Sequence, residues 1–208
     1  MYKNLIFACG IFVLASSVLA ISLIRTIYPQ LVFSRTPNII INLTPTPSIS
    51  PTPTPVDYYL PYPGILPDHF LWPLKALRDN IFVKLTFSSF SKAEKLLHLA
   101  DKRIGAAEAL INGGQFSLGA SVALKAGKYL EQALIEEQKA SSQNQNTDKL
   151  LEKLAKSALK HQEILNQVAV KVTPDVKPTI DQALQYIKMA YDTTAQRLNE
   201  KNQPVPGK

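Results

Sequence analysis

Three polar side chains of one predicted helix have the spacing of a metal-binding cluster. Glu94, His98 and Asp101 stand at positions i, i+4 and i+7, so an α-helix would place them on one stripe. Carboxylates and imidazoles are common ligands of transition metals. Metal sites in helical bundles take ligands from facing helices, however, and the chain has no second pattern of this kind. We therefore interpret the stripe as a solvated face and predict no metal or other cofactor.

Asp68 and His69 form a second pair that could do chemistry. A carboxylate beside an imidazole can act as an acid–base pair. It can equally cap the short helix predicted to begin near Pro73, or interact with its dipole. Hydrolysis also needs a nucleophile and a group that orients the base, and the sequence offers no identifiable candidate. We predict no catalytic residue and no enzyme, and keep a metal-binding or hydrolytic domain as an alternative.

Aromatic side chains are concentrated in a proline-rich arm at residues 58–73. Rings of this kind could line a groove for a peptide or a glycan. The candidates for ligand contact are Tyr59, Tyr62, Asp68, His69 and Trp72. The rings could instead anchor the arm on its own domain, because aromatic residues dominate core burial. We favour this second interpretation and keep peptide or glycan binding through the arm as an alternative function.

Composition and charge exclude one class of partner. The 208 residues include 23 lysines and arginines and 16 aspartates and glutamates, a formal charge of +7. These charges are interleaved along the predicted helices, whereas a nucleic-acid-binding surface needs a one-sided basic stripe with stacking aromatics. The single cysteine, Cys9, lies in an N-terminal apolar run, so the domain contains no disulfide or thiolate metal site. We predict no nucleic-acid partner.

The N-terminal residues predict a membrane anchor. Residues 5–24 carry no charge, and a helix of that length spans roughly 30 Å, the thickness of the hydrocarbon layer. A cleaved secretory signal with a small-residue site at residues 18–20 is the alternative. The apolar run is longer than a usual signal core and continues past Ala20. We therefore favour an uncleaved single-pass anchor over residues 1–27.

Residues 28–56 predict an extended stalk. Within them, residues 44–55 read TPTPSISPTPTP, and alternating prolines force the chain into polyproline II, here roughly 35–40 Å long. Spacers of this kind lift domains off a membrane. We therefore place the domain outside the cytoplasm, with the membrane as one partner and an envelope protein or cell-wall component as the other. The expected role is a scaffold or an envelope-binding domain.

The rest of the chain predicts an all-α domain at residues 57–203. After the arm and the short helix, four longer segments carry apolar residues at alternating steps of three and four. The first seam consists of Ala93, Leu97, Ala100, Ile104, Ala107 and Ile111. His161 lies on the third seam, where we expect it at the bundle edge with one ring nitrogen bonded. Short connections favour an antiparallel four-helix bundle, and residues 204–208 are predicted to be a disordered tail.

Several short motifs of the arm and the first helices occur together in one protein family. They are LPYPGILPDH at residues 60–69, WPLK at 72–75, LRD at 77–79, KA at 92–93 and LADKR at 99–103. On these motifs, residues 58–134 resemble a bacterial domain-of-unknown-function family seen in exported or membrane-anchored proteins of small-genome uncultured bacteria. The resemblance implies a helical domain outside the cytoplasm and brings no known activity or catalytic residue.

Overall fold

The computed structural model describes residues 56–207, and this part of the chain is all-α, as predicted. Its helices, with no strand among the described residues, are α1 (Trp72–Lys84), α2 (Ser89–Asn112), α3 (Phe116–Ser142), α4 (Asp148–Ala169) and α5 (Lys177–Glu200). The predicted anchor and all of the predicted stalk except Val56 lie outside the described residues. Within residues 56–207, no helix is both long and apolar enough to cross a membrane.

The four long helices share one apolar core. Helix α2 packs along α3, α5 packs against both α3 and α4, and α2 also touches α4. The predicted seam of α2 is confirmed, because all six of its residues are buried. Removing such stripes from water contributes roughly 25 cal/mol for each Å² of apolar surface and is the main force holding the helices together. Helix α1 is different, since it meets α2 over only a short stretch.

The helix ends follow local sequence signals. The Ser88 hydroxyl caps α2 by accepting a hydrogen bond from the Ser91 backbone N–H at 3.5 Å. Beyond the other end of α2, Gly114 has a φ of +82°, which a side chain would strain. Pro178 occupies the first turn of α5. Thr147 precedes α4, but its hydroxyl makes no capping bond and is buried without a partner in the part of the chain that the structure describes.

Two glycines of α2 and α3 give opposite predictions. A Cβ atom at Gly119 would lie 2.6 Å from Ile111 Cγ1 and 3.1 Å from the Ala107 carbonyl oxygen, so the helices could not approach as closely. We expect Gly119→Ala to lower the free energy of unfolding by about 1–3 kcal/mol. A Cβ at Gly105 would meet only Pro63, at 3.8 Å. Gly105→Ala should therefore be neutral or stabilising by up to about 1 kcal/mol, since alanine favours helix.

Urea unfolding followed by circular dichroism measures both glycine variants. The two substitutions add the same methyl group to a helix interior, so each serves as the control for the other. Equal destabilisation by both would contradict a close contact between α2 and α3 that is specific to Gly119.

The arm, residues 56–71, lies across α2 and α4. The Val56 backbone N–H donates to Glu163 Oε2 of α4 at 3.0 Å, and the Tyr58 hydroxyl reaches α2. Leu60 and Leu66 pack against the core. Exposure repeats every three residues over residues 58–68 of the arm, where the outward positions are Tyr59, Tyr62, Ile65 and Asp68. This is the period of a polyproline II helix, although Gly64, with a φ of +71°, interrupts the extended chain.

The C-terminal segment up to Gly207 differs from the predicted disordered tail. The Gln203 backbone N–H donates to the Leu198 carbonyl at 2.9 Å, which turns the chain back over the helices. Val205 then packs against buried residues of α4 and α5, and the Tyr191 hydroxyl donates to the Pro206 carbonyl at 2.8 Å. A valine between two prolines has little backbone freedom to lose, so a few contacts suffice to order it.

Candidate functional site

A buried carboxylate joins the arm to two helices. Asp101 of α2 is 3% exposed. The Tyr58 hydroxyl donates to its Oδ2 at 2.7 Å, and the Ser157 hydroxyl donates to its Oδ1 at 2.6 Å. Nε2 of His161 lies 2.9 Å from the same Oδ1. These four residues, which we name the Asp101 cluster, connect the arm, α2 and α4.

The Asp101 cluster has the residue types of a serine hydrolase without its geometry. In such enzymes the serine hydroxyl faces one histidine nitrogen and the carboxylate holds the other. Here Ser157 Oγ, at 3.3 Å, and Asp101 Oδ1, at 2.9 Å, both lie beside Nε2 of His161, and Nδ1 has no partner among the described residues. Ser157 and His161 are completely buried, so no substrate could reach them. The arrangement supports a structural role.

Burial determines how the polar groups of this cluster behave. Removal from water, followed by the charge of Asp101 and its hydrogen bond, raises the pKa of Tyr58, so its hydroxyl remains a donor at neutral pH. The Asp101 carboxylate thus accepts two hydrogen bonds, from Tyr58 and Ser157, and contacts Nε2 of His161. One nitrogen of His161 is bonded, as predicted, but its expected place at the bundle edge is wrong because the residue is 0% exposed.

A second cluster holds α1 on α2. The Arg103 guanidinium lies 4.2 Å from the ring centroid of Trp72 and 5.9 Å from that of Tyr129. Its Nη2 is 3.7 Å from Oδ2 of Asp79, and both residues are buried. Asp79 forms a second ion pair with Arg78, whose Nη2 lies 2.8 Å from Oδ1 of Asp79. We name these residues, Trp72, Asp79, Arg103 and Tyr129, the Arg103 cluster. Helix α1 is therefore held on α2 by cation–π and ionic contacts rather than by a large apolar contact.

The structure separates the three residues of the candidate metal stripe. Glu94 and His98 are exposed and line the groove between α1 and α2, whereas Asp101 is buried in its own cluster. Partial removal from water in this groove and the nearby charge of Lys102 lower the pKa of His98, which favours the neutral ring. Across residues 56–207, no group of three His, Cys, Asp or Glu side chains is arranged to hold a metal ion.

Asp68 and His69 have separate partners. The Gln115 side-chain amide, next to the start of α3, donates to Oδ2 of Asp68 at 2.9 Å. Nδ1 of His69 accepts the Leu71 backbone N–H at 3.1 Å, and its ring stacks on Phe70 with centroids 4.7 Å apart. The pair therefore stabilises the turn that leads into α1 and the contact of the arm with α3.

Tyr59 and Tyr62 are the two candidate aromatic residues that stay in solvent, at 89% and 80% exposure. They border a groove of about 430 Å³ between the arm and α2, which we name the tyrosine groove. Glu108 and Asn112, one helical turn apart on α2, supply its polar side. The groove combines open aromatic faces with hydrogen-bonding groups, the composition of a surface that binds an extended ligand.

Sequence reasoning missed Tyr58 and Ser157 as partners of Asp101, and it missed the pairing of Asp79 with Arg103. The available signal was the family-like motifs, because LRD contains Asp79 and LADKR contains both Asp101 and Arg103. A charged residue beside an apolar seam can be buried when a partner lies across the fold. The partners of Asp101 come from segments 43 and 56 residues away in sequence, which helical periodicity does not connect.

Comparison with known proteins identifies the family. Residues 64–175 match the family described as Domain of unknown function (DUF5667), and this segment makes up more than half of the chain. The chain belongs to the DUF5667 family. No curated protein and no solved structure matches it.

The DUF5667 segment contains nearly all of both clusters. It includes α1, α2, α3 and α4, and hence every member of the Arg103 cluster and three of the four members of the Asp101 cluster. Tyr58 precedes the segment and α5 follows it. In this chain, therefore, the DUF5667 segment provides most of the residues of these two clusters, while the arm completes the Asp101 cluster with Tyr58.

Proposed function

We propose that this DUF5667 protein is a single-pass membrane protein whose helical domain lies outside the cytoplasm and binds an envelope protein as a scaffold, without catalysing a reaction. The uncharged residues 5–24 and the proline-threonine tract at residues 44–55 support the placement. The non-catalytic role is supported by the two polar clusters, whose bonds are made within the fold.

We infer in addition that α2 to α5 form an antiparallel up-down bundle. Their connections are only three, five and seven residues long, and helices joined by such loops run in opposite directions. A bundle of this kind presents its helix faces and the arm as rigid binding surfaces.

The observation that supports binding is the exposure of Tyr59 and Tyr62. Tyrosine is enriched in interfaces because its ring gives a large contact area and its hydroxyl a directional bond. The two rings are three residues apart, which matches the three-residue repeat of a polyproline II ligand of about 9 Å per turn. Aromatic grooves recognise proline-rich segments in this way. An extended, proline-rich segment of an envelope protein is thus the ligand that this groove fits.

A labelled decaproline peptide tests the binding role. We expect Tyr59→Ser and Tyr62→Ser each to weaken its binding to the full chain by about tenfold, because interface tyrosines commonly contribute 1 kcal/mol or more. Fluorescence anisotropy measures the affinity. Phe87→Ser is the matched control, since this residue is equally exposed but does not border the groove.

Two results would contradict this binding role. The first is a decaproline affinity that the tyrosine variants leave unchanged. The second is tight, tyrosine-dependent binding of a chito-oligosaccharide in place of the peptide, which would assign the groove to glycans instead.

Membrane placement has its own test. Carbonate extraction should leave the full chain in the membrane pellet, and mass spectrometry should find an intact N-terminus. Protease added outside intact cells should digest the domain. Release of the chain by carbonate, or protection of its domain from the protease, would refute the placement whatever the peptide experiment shows.

A further inference from the structure

Helix α1 has two opposite apolar sides, and within residues 56–207 only one of them is covered. At 100° per residue, Trp72, Asp79 and Val83 fall on one side and face α2. The opposite side carries an apolar stripe within a sector of roughly 80°. Its members are Leu74, Leu77, Ile81 and Leu85. These four side chains remain 44–66% exposed. A helix that is apolar on both sides is ordinarily buried on both.

Two exposed phenylalanines flank α1 in sequence. Phe70 precedes α1 and Phe87 follows it, and they are 80% and 94% exposed. Large apolar side chains are rarely exposed in such numbers on one short segment of a soluble protein, and they mark a contact with another molecule or with a membrane. We name the four-residue stripe with the two phenylalanines the α1 face.

Cations border the α1 face on both edges. By the same helical geometry, Arg78 lies at one edge of the stripe and Lys84 at the other, and both are exposed. The neighbouring groove between α1 and α2 adds Lys95 and Lys102. The acidic groups of that groove are Glu94 and the buried Asp79, and Asp79 is already paired with arginines. The surroundings of the stripe are therefore positively charged.

We propose that the α1 face docks on an anionic phospholipid surface. An apolar stripe with a cation at each edge is the pattern of a helix lying in the membrane interface, where leucine and phenylalanine enter the acyl boundary and lysine or arginine contacts headgroup phosphates. A second copy of the chain fits poorly. Pairing the stripes of two copies would place Arg78 and Lys84 of one copy against Arg78 and Lys84 of the other, and like charges repel.

The inference rests on the membrane placement proposed above, but not on the tyrosine groove. Residues 25–55 can extend at most about 110 Å, so an anchored domain stays within that distance of the bilayer. Tethering raises the effective concentration of the surface, and a modest intrinsic affinity of the α1 face is then sufficient.

Depth-dependent quenching tests the proposal on the full chain. In a Cys9→Ser background, Leu85→Cys carries a pyrene label on the α1 face, and Met189→Cys, on an equally exposed site of α5, carries the control label. Each protein is mixed with vesicles of phosphatidylcholine, with or without one third phosphatidylglycerol, that contain a brominated lipid. We expect strong quenching of the label at position 85 only when phosphatidylglycerol is present, and none at position 189.

Charge variants give the matched comparison. Lys84→Glu should reduce quenching at position 85 by at least about threefold, because each cation near an anionic surface contributes about 1 kcal/mol. Lys188→Glu on α5 should not change it. Absence of quenching at position 85 overturns the proposal, and pyrene excimer emission in its place would assign the face to a second copy.

Vesicle flotation of the same samples reports the anchor separately. If the chain does not float, the membrane placement fails, while the label at position 85 still reports whether the α1 face meets the added vesicles.

Discussion

Replacing Asp101 with alanine should lower the free energy of unfolding by about 3–5 kcal/mol, the range measured when one partner of a buried, charge-assisted network is removed. The carboxylate accepts bonds from Tyr58 and Ser157 and contacts His161. Its loss leaves three buried polar groups without their partner, and each such group costs roughly 1–3 kcal/mol before the site relaxes.

Two further variants separate charge from packing at this position. Asp101→Asn keeps the shape but replaces one acceptor with a donor that meets the donors around it, so we expect an intermediate loss of about 2–3 kcal/mol. Glu94→Ala on the same helix removes an exposed carboxylate and should change stability by less than about 0.5 kcal/mol. Urea denaturation of the three proteins gives the comparison.

Hydrogen exchange should increase more in the arm than in the helices when Asp101 is replaced with alanine. Tyr58 fixes the arm to α2 through Asp101, so Asp101→Ala should increase hydrogen exchange in residues 56–71 beyond the global change. Two results would show that the Asp101 cluster does not hold the arm. One is an Asp101→Ala variant that is no less stable than Glu94→Ala, and the other is an arm that stays protected from hydrogen exchange in Asp101→Ala.

Much of this fold could be predicted from residue periodicity. Alternating steps of three and four located α2 and its buried seam, and glycine or proline marked the ends of α2 and α5. These features are local, because they depend on residues within one or two helical turns of each other. The sequence therefore determined which surfaces of the long helices are buried.

The buried polar contacts could not be predicted in the same way. Asp101, read on a helical wheel with Glu94 and His98, belongs to a polar stripe, yet its side chain is enclosed once the arm and α4 cover it. Tyr58 shows the same limit, since an aromatic residue in a proline-rich segment can be buried or can bind a ligand, and the sequence favours burial for all the rings of the arm alike. Only the fold distinguishes it from Tyr59, its exposed neighbour.

Position 103 gives the second large prediction, which concerns how α1 is held. Arg103→Ala should lower the free energy of unfolding by about 2–4 kcal/mol, because it removes a buried cation from Asp79 and from the faces of Trp72 and Tyr129. Arg103→Lys keeps the charge but loses the planar stacking, so an intermediate loss is expected. Arg78→Ala is the control: it contacts the same Asp79, yet its side chain is 57% exposed.

Trp72 fluorescence shows where the loss occurs, because Trp72 is the only tryptophan and lies at the start of α1. Helix α1 has few other contacts with the core, so in Arg103→Ala we expect its emission to shift to longer wavelength at a lower urea concentration than the circular dichroism transition of α2 to α5. Arg78→Ala should keep the two transitions together. Coincident transitions in Arg103→Ala would mean that α1 is held by contacts outside the Arg103 cluster. Separate transitions would show that Arg103 fixes the helix that carries the exposed α1 face. The Arg103→Ala substitution should then also weaken the contact of position 85 with vesicles.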